Sequence, residues 1–200
     1  MCDANRQEPL RVMLVDDRSD RRAMLDLALG AVGCALVACV TEDADLLAAV
    51  KSCDPDVILI DVEAPGRDTL EGLESVQANV PRPMVMFSQD DNYETIRRAT
   101  SAGVSAYVVD GLQTSRVRPI IDAAVARFRH FNLLESELKR AKGQLEDRKY
   151  IDRAKGIIMR ERGVSEDVAY RSMRKLAMDS NQKIADVARS IIQAAALLSK

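Results

Sequence analysis

The chain is poor in the residues that mark several common protein classes. Its 200 residues include no tryptophan, one histidine and four cysteines, and aromatic residues make up 4%. The cysteines show no CxxC or Cys/His spacing, which argues against a structural zinc site and a disulfide scaffold. No apolar run approaches the ~20 residues of a transmembrane helix. The first residues lack the apolar core of a secretory signal. These absences favour a cytoplasmic protein without a membrane partner.

Charge and proline are distributed unevenly along the chain. Residues 1–120 contain 12 Lys or Arg and 20 Asp or Glu, whereas residues 121–200 contain 17 and 11. All six prolines lie at or before Pro119. The first part is therefore acidic and rich in turn signals, and the second part is basic. A basic segment is a candidate for binding a polyanion, although a solvated surface would explain the charge equally well.

Short apolar runs alternate with helical patterns in the acidic part. The five runs are Leu10–Val15, Ala35–Val40, Val57–Ile60, Met84–Phe87 and Ala106–Val109. They lack the polar alternation of a half-exposed strand, which predicts a parallel sheet covered on both faces. The predicted fold is therefore a doubly wound, five-stranded α/β domain. Ligands of such sheets bind beyond the carboxyl ends of the strands.

Carboxylates follow two of the predicted strands. Asp16 and Asp17 come after the first strand and Asp61 ends the third. Three carboxylates at one sheet edge repel each other unless a cation lies among them, and their hard oxygen atoms suit Mg²⁺. Aspartate also commonly caps the helix that follows a strand, which is the simpler explanation for any one of them. Together they predict a magnesium site.

These positions resemble the receiver domain of response regulators over residues 10–120. The resemblance includes the pair Asp16-Asp17, Asp61, Ser88 and Tyr107. It implies that Asp61 accepts a phosphoryl group and that Asp16 and Asp17 help to hold Mg²⁺. It also implies that Ser88 senses the phosphoryl group and that Tyr107 is the aromatic switch.

Two positions depart from the receiver pattern. The segment that usually reads Asp-x-x-Met-Pro-x-x-Asp-Gly is Asp61-Val62-Glu63-Ala64-Pro65-Gly66-Arg67-Asp68-Thr69 here. Asp110 stands where receivers carry a lysine after the fifth strand, which makes it a third candidate switch position beside Ser88 and Tyr107. The electrostatic interaction of this side chain with a phosphoryl group thereby changes from attraction to repulsion. Its magnitude is ~1–4 kcal/mol for unit charges ~4 Å apart. The substitution predicts that phosphorylation of Asp61 is not the physiological signal.

The segment after Pro119 continues as a helix with an apolar stripe. Its members keep a 4/3 spacing with one slip: Ile121, Ala124, Phe128, Phe131, Leu134, Leu138, Ala141 and Leu145. Such a stripe is typical of a short coiled coil. It predicts a homodimer, although it could also pack against the chain's own receiver.

Three amphipathic helices are predicted in the last fifty residues. The first runs from about Arg148 to Arg162 and ends at Gly163; the second follows Ser165, a candidate N-cap; the third begins near Asn181. Helices of this kind form a small bundle. The predicted organisation is an N-terminal tail (1–8), a receiver-like domain (9–120), a coiled-coil linker helix (121–147) and a bundle (148–200).

The bundle resembles the ANTAR domain, the RNA-binding output module of AmiR- and NasT-type transcription antiterminators. The signature runs from Arg148 through Ala154-Lys155-Gly156 and Ala169-Tyr170 to Val187-Ala188. Cationic side chains are candidates for phosphate contacts, a glycine for close approach of RNA, and an asparagine for reading a base edge. The candidate RNA-binding residues are Arg148, Lys155, Gly156, Arg174, Asn181 and Lys183.

Nearly the whole chain resembles the NasT branch, in which Asp110 is ordinary. The segments that carry this resemblance are Asp68–Glu71, Pro81–Phe87 and Gly103–Leu112. The resemblance implies a non-enzymatic regulator that binds paired stem-loops in a nascent leader mRNA and prevents formation of the terminator. It also implies control of nitrate or nitrite assimilation genes by a NasS-like sensor that holds the protein inactive. Two alternatives stay open: a DNA-binding, phosphorylation-controlled response regulator, and a Mg²⁺-dependent phosphohydrolase.

Overall fold

The acidic part of the chain forms a five-stranded parallel sheet. The computed structural model describes residues 9–18, 22–109 and 114–198, so the predicted tail and Asp110 lie outside the described residues. The strands are β1 (Leu10–Asp16), β2 (Cys34–Val40), β3 (Val57–Asp61), β4 (Met84–Ser88) and β5 (Ala106–Val109). Their order is β2-β1-β3-β4-β5, with every pairing parallel. The predicted α/β fold is confirmed.

Helices cover both faces of this sheet. They are α1 (Arg22–Ala31), α2 (Leu46–Cys53), α3 (Arg67–Asn79), α4 (Tyr93–Ser101) and the start of α5 (Thr114–Arg162). Residues of α2, α3 and α4 share one apolar cluster with Met13 and Val15. Residues of α1 and α5 share another with Val12 and Leu14. Adjacent strand residues point to opposite faces and all four are fully buried, which explains the absence of polar alternation.

Helix α5 continues far beyond the receiver fold. It runs without a break from Thr114 to Arg162, so the prediction of a separate helix starting near Arg148 is wrong. The one glycine between Pro119 and Arg148, Gly143, is tolerated inside a helix, and no turn residues flank it. The chain divides into two compact units, residues 1–132 and 133–200, within this helix.

The apolar stripe of α5 has two environments. Its first members, Ile121 and Ala124, are buried in the cluster that also holds Leu25 and Phe87. Its later members are at least half exposed: Phe131 59%, Leu134 50%, Leu138 53% and Leu145 58%. The start of the stripe therefore packs against the receiver sheet, while the rest remains uncovered within the chain.

The second unit is built from the end of α5 together with α6 (Glu166–Asp179) and α7 (Ile184–Leu198). Its core consists mainly of small and aliphatic residues: Ala154, Met173, Ala177, Val187 and Ala188. The predicted three-helix arrangement is confirmed. Within the described ranges, no helix is both long enough and apolar enough to cross a membrane.

Residues with a left-handed backbone conformation lie between α5 and α6 and between α6 and α7. Gly163 has φ +64° directly after α5, as expected of a helix stop. Asn181 has φ +53°, and the following Gln182 N–H donates to the Ala177 carbonyl at 2.9 Å, which closes α6 with a Schellman motif. The third helix was predicted to begin near Asn181 but begins at Ile184, because Asn181 terminates the preceding helix.

Candidate functional site

An acidic pocket lies at the carboxyl ends of β1 and β3. These strands pair in register, so that Asp16 lies opposite Asp61. The strand order reverses here, because β2 and β3 lie on opposite sides of β1, and such a switch point opens a crevice. The pocket has a volume of about 310 Å³ and is lined by Asp16, Asp17, Arg18, Glu42, Asp61, Val62, Glu63 and Ala64. The three predicted carboxylates therefore line one site.

Arg18 reaches into this pocket, which the sequence patterns did not predict. Its Nη2 lies 3.3 Å from Asp61 Oδ2, and its Nε lies 3.7 Å from Asp16 Oδ1. The Arg18 backbone N–H also donates to Asp16 Oδ1 at 2.8 Å. The sequence feature that could have indicated this position is that Arg18 directly follows the Asp16-Asp17 pair.

The three carboxylates differ in their burial and in their hydrogen-bond partners. Asp16 and Asp61 are 4% and 3% exposed, and Asp16 Oδ2 is buried without a hydrogen-bond partner. Asp17 instead accepts a hydrogen bond from the Glu42 backbone N–H at 3.0 Å. An unsatisfied buried carboxylate oxygen beside a second carboxylate fits a hard cation such as Mg²⁺. In the described part of the chain, no three acidic, histidine or cysteine side chains already surround one point as ligands.

Glu42 adds further negative charge to the pocket. Burial raises the pKa of its carboxyl group, and the nearby charge of Asp17 raises it further. Its Oε2 accepts a hydrogen bond from Thr69 Oγ1 at 3.2 Å, which partly offsets this effect. The pocket therefore disfavours an additional negative charge unless a cation compensates for it.

Two of the three predicted switch residues, Ser88 and Tyr107, form hydrogen bonds to the segment after β4. Ser88 is 1% exposed, and its Oγ donates to the Glu63 carbonyl at 2.8 Å and accepts from the Asp90 N–H at 3.1 Å. The Tyr107 hydroxyl donates to the Asp90 carbonyl at 2.7 Å, and burial raises its pKa. Both hydroxyls therefore hold the backbone at Asp90. The third predicted switch residue, Asp110, lies outside the described residues.

Lys155, a predicted RNA-binding residue, forms ion pairs within the helical unit. Its Nζ lies 2.7 Å from Asp152 Oδ1 and 2.6 Å from Glu166 Oε1, and its side chain is 16% exposed. Hydrogen bonds to these two carboxylates raise the pKa of Lys155. Because Glu166 lies in the first turn of α6, the ammonium group ties that helix to α5.

The other predicted RNA ligands are solvent-accessible. Arg148, Arg174 and Lys183 are exposed, and within the described ranges their side chains form no hydrogen bond or ion pair. A Cβ added to Gly156 would meet no atom within 4 Å, so the helix surface is open there. Asn181 is exposed in the turn between α6 and α7.

Two aromatic side chains of this unit have different surroundings. Arg189 covers the ring of Tyr150 at 4.8 Å from its centroid and pairs with Asp147 and Asp186. This cluster joins α5 to α7 and was not predicted from the sequence. Tyr170 is 42% exposed, while its neighbour Ala169 is fully buried. A base could therefore stack on Tyr170 without disturbing the bundle.

Comparison with known families agrees with the architecture. A family model for the response regulator receiver domain matches residues 12–122. The chain belongs to the response regulator receiver family. The family model for the ANTAR domain matches residues 139–192, which places this module at the end of α5 and in α6 and α7. This response regulator therefore joins two regulatory domains.

Relatives of this response regulator include other transcription regulators. It is 28% identical over 191 residues to the transcriptional regulatory protein PdtaR of Mycobacterium tuberculosis, covering 96% of this chain and 93% of the relative. It is 39% identical over 64 residues to the nitrate regulatory protein of Klebsiella oxytoca, covering 32% of this chain and 16% of the relative. A CheY-like receiver from Methanospirillum hungatei JF-1 shares the fold, with a TM-score of 0.53 and 19% identity over 60% of this chain and 97% of that structure.

Proposed function

We propose that this response regulator is a transcription antiterminator. Its ANTAR domain binds paired stem-loops in a nascent leader mRNA, and the bound RNA cannot form the terminator. The observation that carries the proposal is the ANTAR match over residues 139–192, in a unit whose Arg148, Arg174 and Lys183 are exposed and unpaired in the described part of the chain. Exposed guanidinium and ammonium groups without internal partners are available for phosphate oxygens.

The proposed RNA interface comprises Arg148, Lys155, Gly156, Arg174, Asn181 and Lys183. In this interface Arg174 and Lys183 contact phosphate groups, Gly156 admits the backbone of the RNA, and Asn181 reads a base in an unpaired loop. Lys155 differs from the others because it must leave Asp152 and Glu166 to bind phosphate. We therefore expect Lys155 to contribute less to phosphate binding than Arg174 does.

We infer that the regulated genes serve nitrate or nitrite assimilation and that a NasS-like sensor holds the protein inactive. The similarity to the nitrate regulatory protein supports this inference over 64 residues. Asp110, in place of the receiver lysine, supports control by a partner protein instead of phosphorylation. The alternative is a DNA-binding, phosphorylation-controlled response regulator.

We propose that the uncovered stripe of α5 forms a coiled coil in a homodimer. Phe131, Leu134, Leu138 and Leu145 are each at least half exposed at helical spacing, which favours a second copy as the partner. In this arrangement residues 121–147 are the linker between the receiver-like domain (9–120) and the RNA-binding part (148–200).

We further propose that Asp16, Asp17 and Asp61 hold Mg²⁺. The unpartnered Oδ2 atom of buried Asp16 supports this assignment. The ion would offset the negative charge of a phosphoryl group on Asp61, the candidate acceptor.

A binding titration tests the proposed RNA recognition. The full-length protein is titrated with a leader RNA of two stem-loops, and with DNA of the same sequence, at two salt concentrations. We expect salt-dependent binding to the folded RNA and weak binding to DNA. Arg174→Ala should reduce the slope of log K against log salt by ~0.7–0.9, because one phosphate contact is lost. Lys155→Ala should reduce the slope less.

Arg67→Ala is the matched control for this titration. Its side chain is 81% exposed on the receiver and pairs only with Glu71 among the described ion pairs, so its removal changes the net charge equally without touching the proposed interface. A preference for duplex DNA would favour the DNA-binding alternative. An unchanged slope in Arg174→Ala would remove Arg174 from the interface.

A further inference from the structure

Arg18 is the one basic residue among the described residues that line the acidic pocket. The same lining includes five acidic residues: Asp16, Asp17, Glu42, Asp61 and Glu63. Two of these, Asp16 and Asp61, are almost completely buried. Buried carboxylates require a counter-charge or hydrogen-bond donors, because desolvation strongly penalises the ionised form. Within the described lining, Arg18 supplies that charge.

The guanidinium group of Arg18 lies between the two buried carboxylates. Its Nη2 is 3.3 Å from Asp61 Oδ2 and its Nε is 3.7 Å from Asp16 Oδ1. The backbone N–H of Arg18 also donates to Asp16 Oδ1, which anchors the residue beside the pocket. A cation that binds both carboxylates would therefore meet the guanidinium group.

The surroundings of Arg18 allow it to move away. Its side chain is 43% exposed, whereas the carboxylates it contacts are 2% exposed. A half-exposed guanidinium group can turn into water without leaving a buried charge unpaired at its new position. Asp16 Oδ2 has no partner while Arg18 occupies the pocket, so one buried oxygen remains available to an incoming ion.

We propose that Arg18 is a tethered counter-cation that competes with Mg²⁺ for Asp16 and Asp61. The inference rests on the proposed magnesium site and concerns what sets its affinity. When Arg18 occupies the pocket, its single positive charge offsets part of the negative charge of the two carboxylates. Mg²⁺ enters only as the guanidinium group withdraws, so the affinity for the ion is lower than the carboxylates alone would give. Arg18 is a positioning residue in this scheme, because it acts through the two carboxylates.

Calorimetric titration of the full-length protein with MgCl₂ at constant ionic strength tests this competition. We expect Arg18→Gln to bind Mg²⁺ about 5- to 10-fold more tightly than the wild type, since one competing charge is removed in a solvent-screened pocket. Arg18→Lys keeps the positive charge but loses the planar guanidinium group. Its affinity for Mg²⁺ should lie between those of the wild type and Arg18→Gln. Arg67→Gln is the control with the same change in net charge, because Arg67 lies outside the pocket and pairs with Glu71. Its affinity for Mg²⁺ should equal that of the wild type.

The outcomes separate this inference from the magnesium site itself. Equal Mg²⁺ affinities in the wild type and Arg18→Gln would overturn the competition while leaving the site in place. Weaker binding by Arg18→Gln would also overturn it and would show that Arg18 organises the ligands. If neither protein bound Mg²⁺, the proposed site and the competition would both be wrong. Thermal unfolding in EDTA verifies that Arg18→Gln is folded; if it is not, tighter binding by Arg18→Lys than by the wild type is the required result.

Discussion

Single side chains of one chemical type have different roles according to their partners. Lys155 and Arg174 both belong to the basic part of the chain and both fit an RNA-binding pattern. The Lys155 ammonium already bridges two carboxylates between α5 and α6, whereas Arg174 is exposed and unpaired within the described ranges. A charge contributes less to binding a polyanion when internal partners compete for it. The spacing of basic residues in the sequence does not show which of them are already paired with carboxylates.

Glu42 provides a prediction about pH at the residue scale. Burial and the charge of Asp17 raise its pKa above the ordinary value of 4.5 in the folded protein. The protonated form is therefore favoured by folding, and this contribution to stability is complete below the unfolded pKa and lost as the pH rises through the folded pKa. At neutral pH the carboxylate destabilises the fold. Glu42→Gln should raise the melting temperature at pH 7, and the gain should shrink as the pH falls through the raised folded pKa towards 4.5.

Melting curves between pH 3.5 and 8 measure this effect. Glu71→Gln is the control, because Glu71 is 57% exposed and pairs with Arg67, so its removal should give no gain at neutral pH. A gain in Glu42→Gln that stays constant across the whole range would contradict the explanation by charge.

At the scale of elements, one helix serves two packing surfaces. The early turns of α5 bury Val117, Ile121 and Ala124 in the receiver core, and its last turns bury Ala154 in the helical unit. Between them the stripe from Phe131 to Leu145 is exposed. A helix whose apolar stripe is uncovered is stabilised by packing against another apolar surface.

The stripe predicts the effect of a double substitution on association. Leu134→Ser with Leu138→Ser should weaken the proposed homodimer at least about 100-fold, since each leucine buried at its interface would contribute about 1.5 kcal/mol or more. Sedimentation equilibrium at micromolar concentration should show a dimer for the wild type and a monomer for the variant. Leu27→Ser is the control, because Leu27 is 78% exposed on α1 and lies outside the stripe. A wild-type protein that sediments as a monomer would show that the stripe is not a dimer interface.

At the scale of the whole molecule, a receiver-family domain is joined to an ANTAR domain through one continuous helix. Asp61, the proposed acceptor, and Ser88, the proposed switch residue, are both buried in the receiver. Its acidic pocket contains Arg18, and the usual lysine position is Asp110. The proposed residues for phosphoryl chemistry are therefore combined with a changed charge balance.

This charge balance predicts how the intact regulator responds in cells. Asp61→Asn should leave the proposed nitrate-dependent antitermination unchanged in a reporter assay, because in the proposed scheme the signal arrives through the sensor partner and does not require a phosphoryl group. The variant's melting curve verifies that it is folded. Loss of the response in a folded Asp61→Asn protein would establish phosphorylation of Asp61 as the main switch.

Much of the fold was predictable from local patterns. Uninterrupted apolar runs gave the five strands, and Gly163 and Ser165 correctly marked the end of α5 and the start of α6. The start of the helix expected at Arg148 was wrong, because local amphipathicity does not reveal where a long helix changes its packing partner. The Ser165 side chain also makes no capping hydrogen bond, although its position is correct.

The candidate site divides in the same way between sequence and structure. The sequence by itself determined that Asp16, Asp17 and Asp61 meet at one sheet edge, because parallel strands bring their carboxyl ends together. Only the tertiary structure decided that Arg18 lies against Asp16 and Asp61, that Lys155 is paired, and that the stripe of α5 is covered at Ile121 but open at Leu134. Those outcomes depend on which side chains from distant segments come within contact distance. Strand and helix periodicity fixes the face on which a residue lies, but not the partner it meets there.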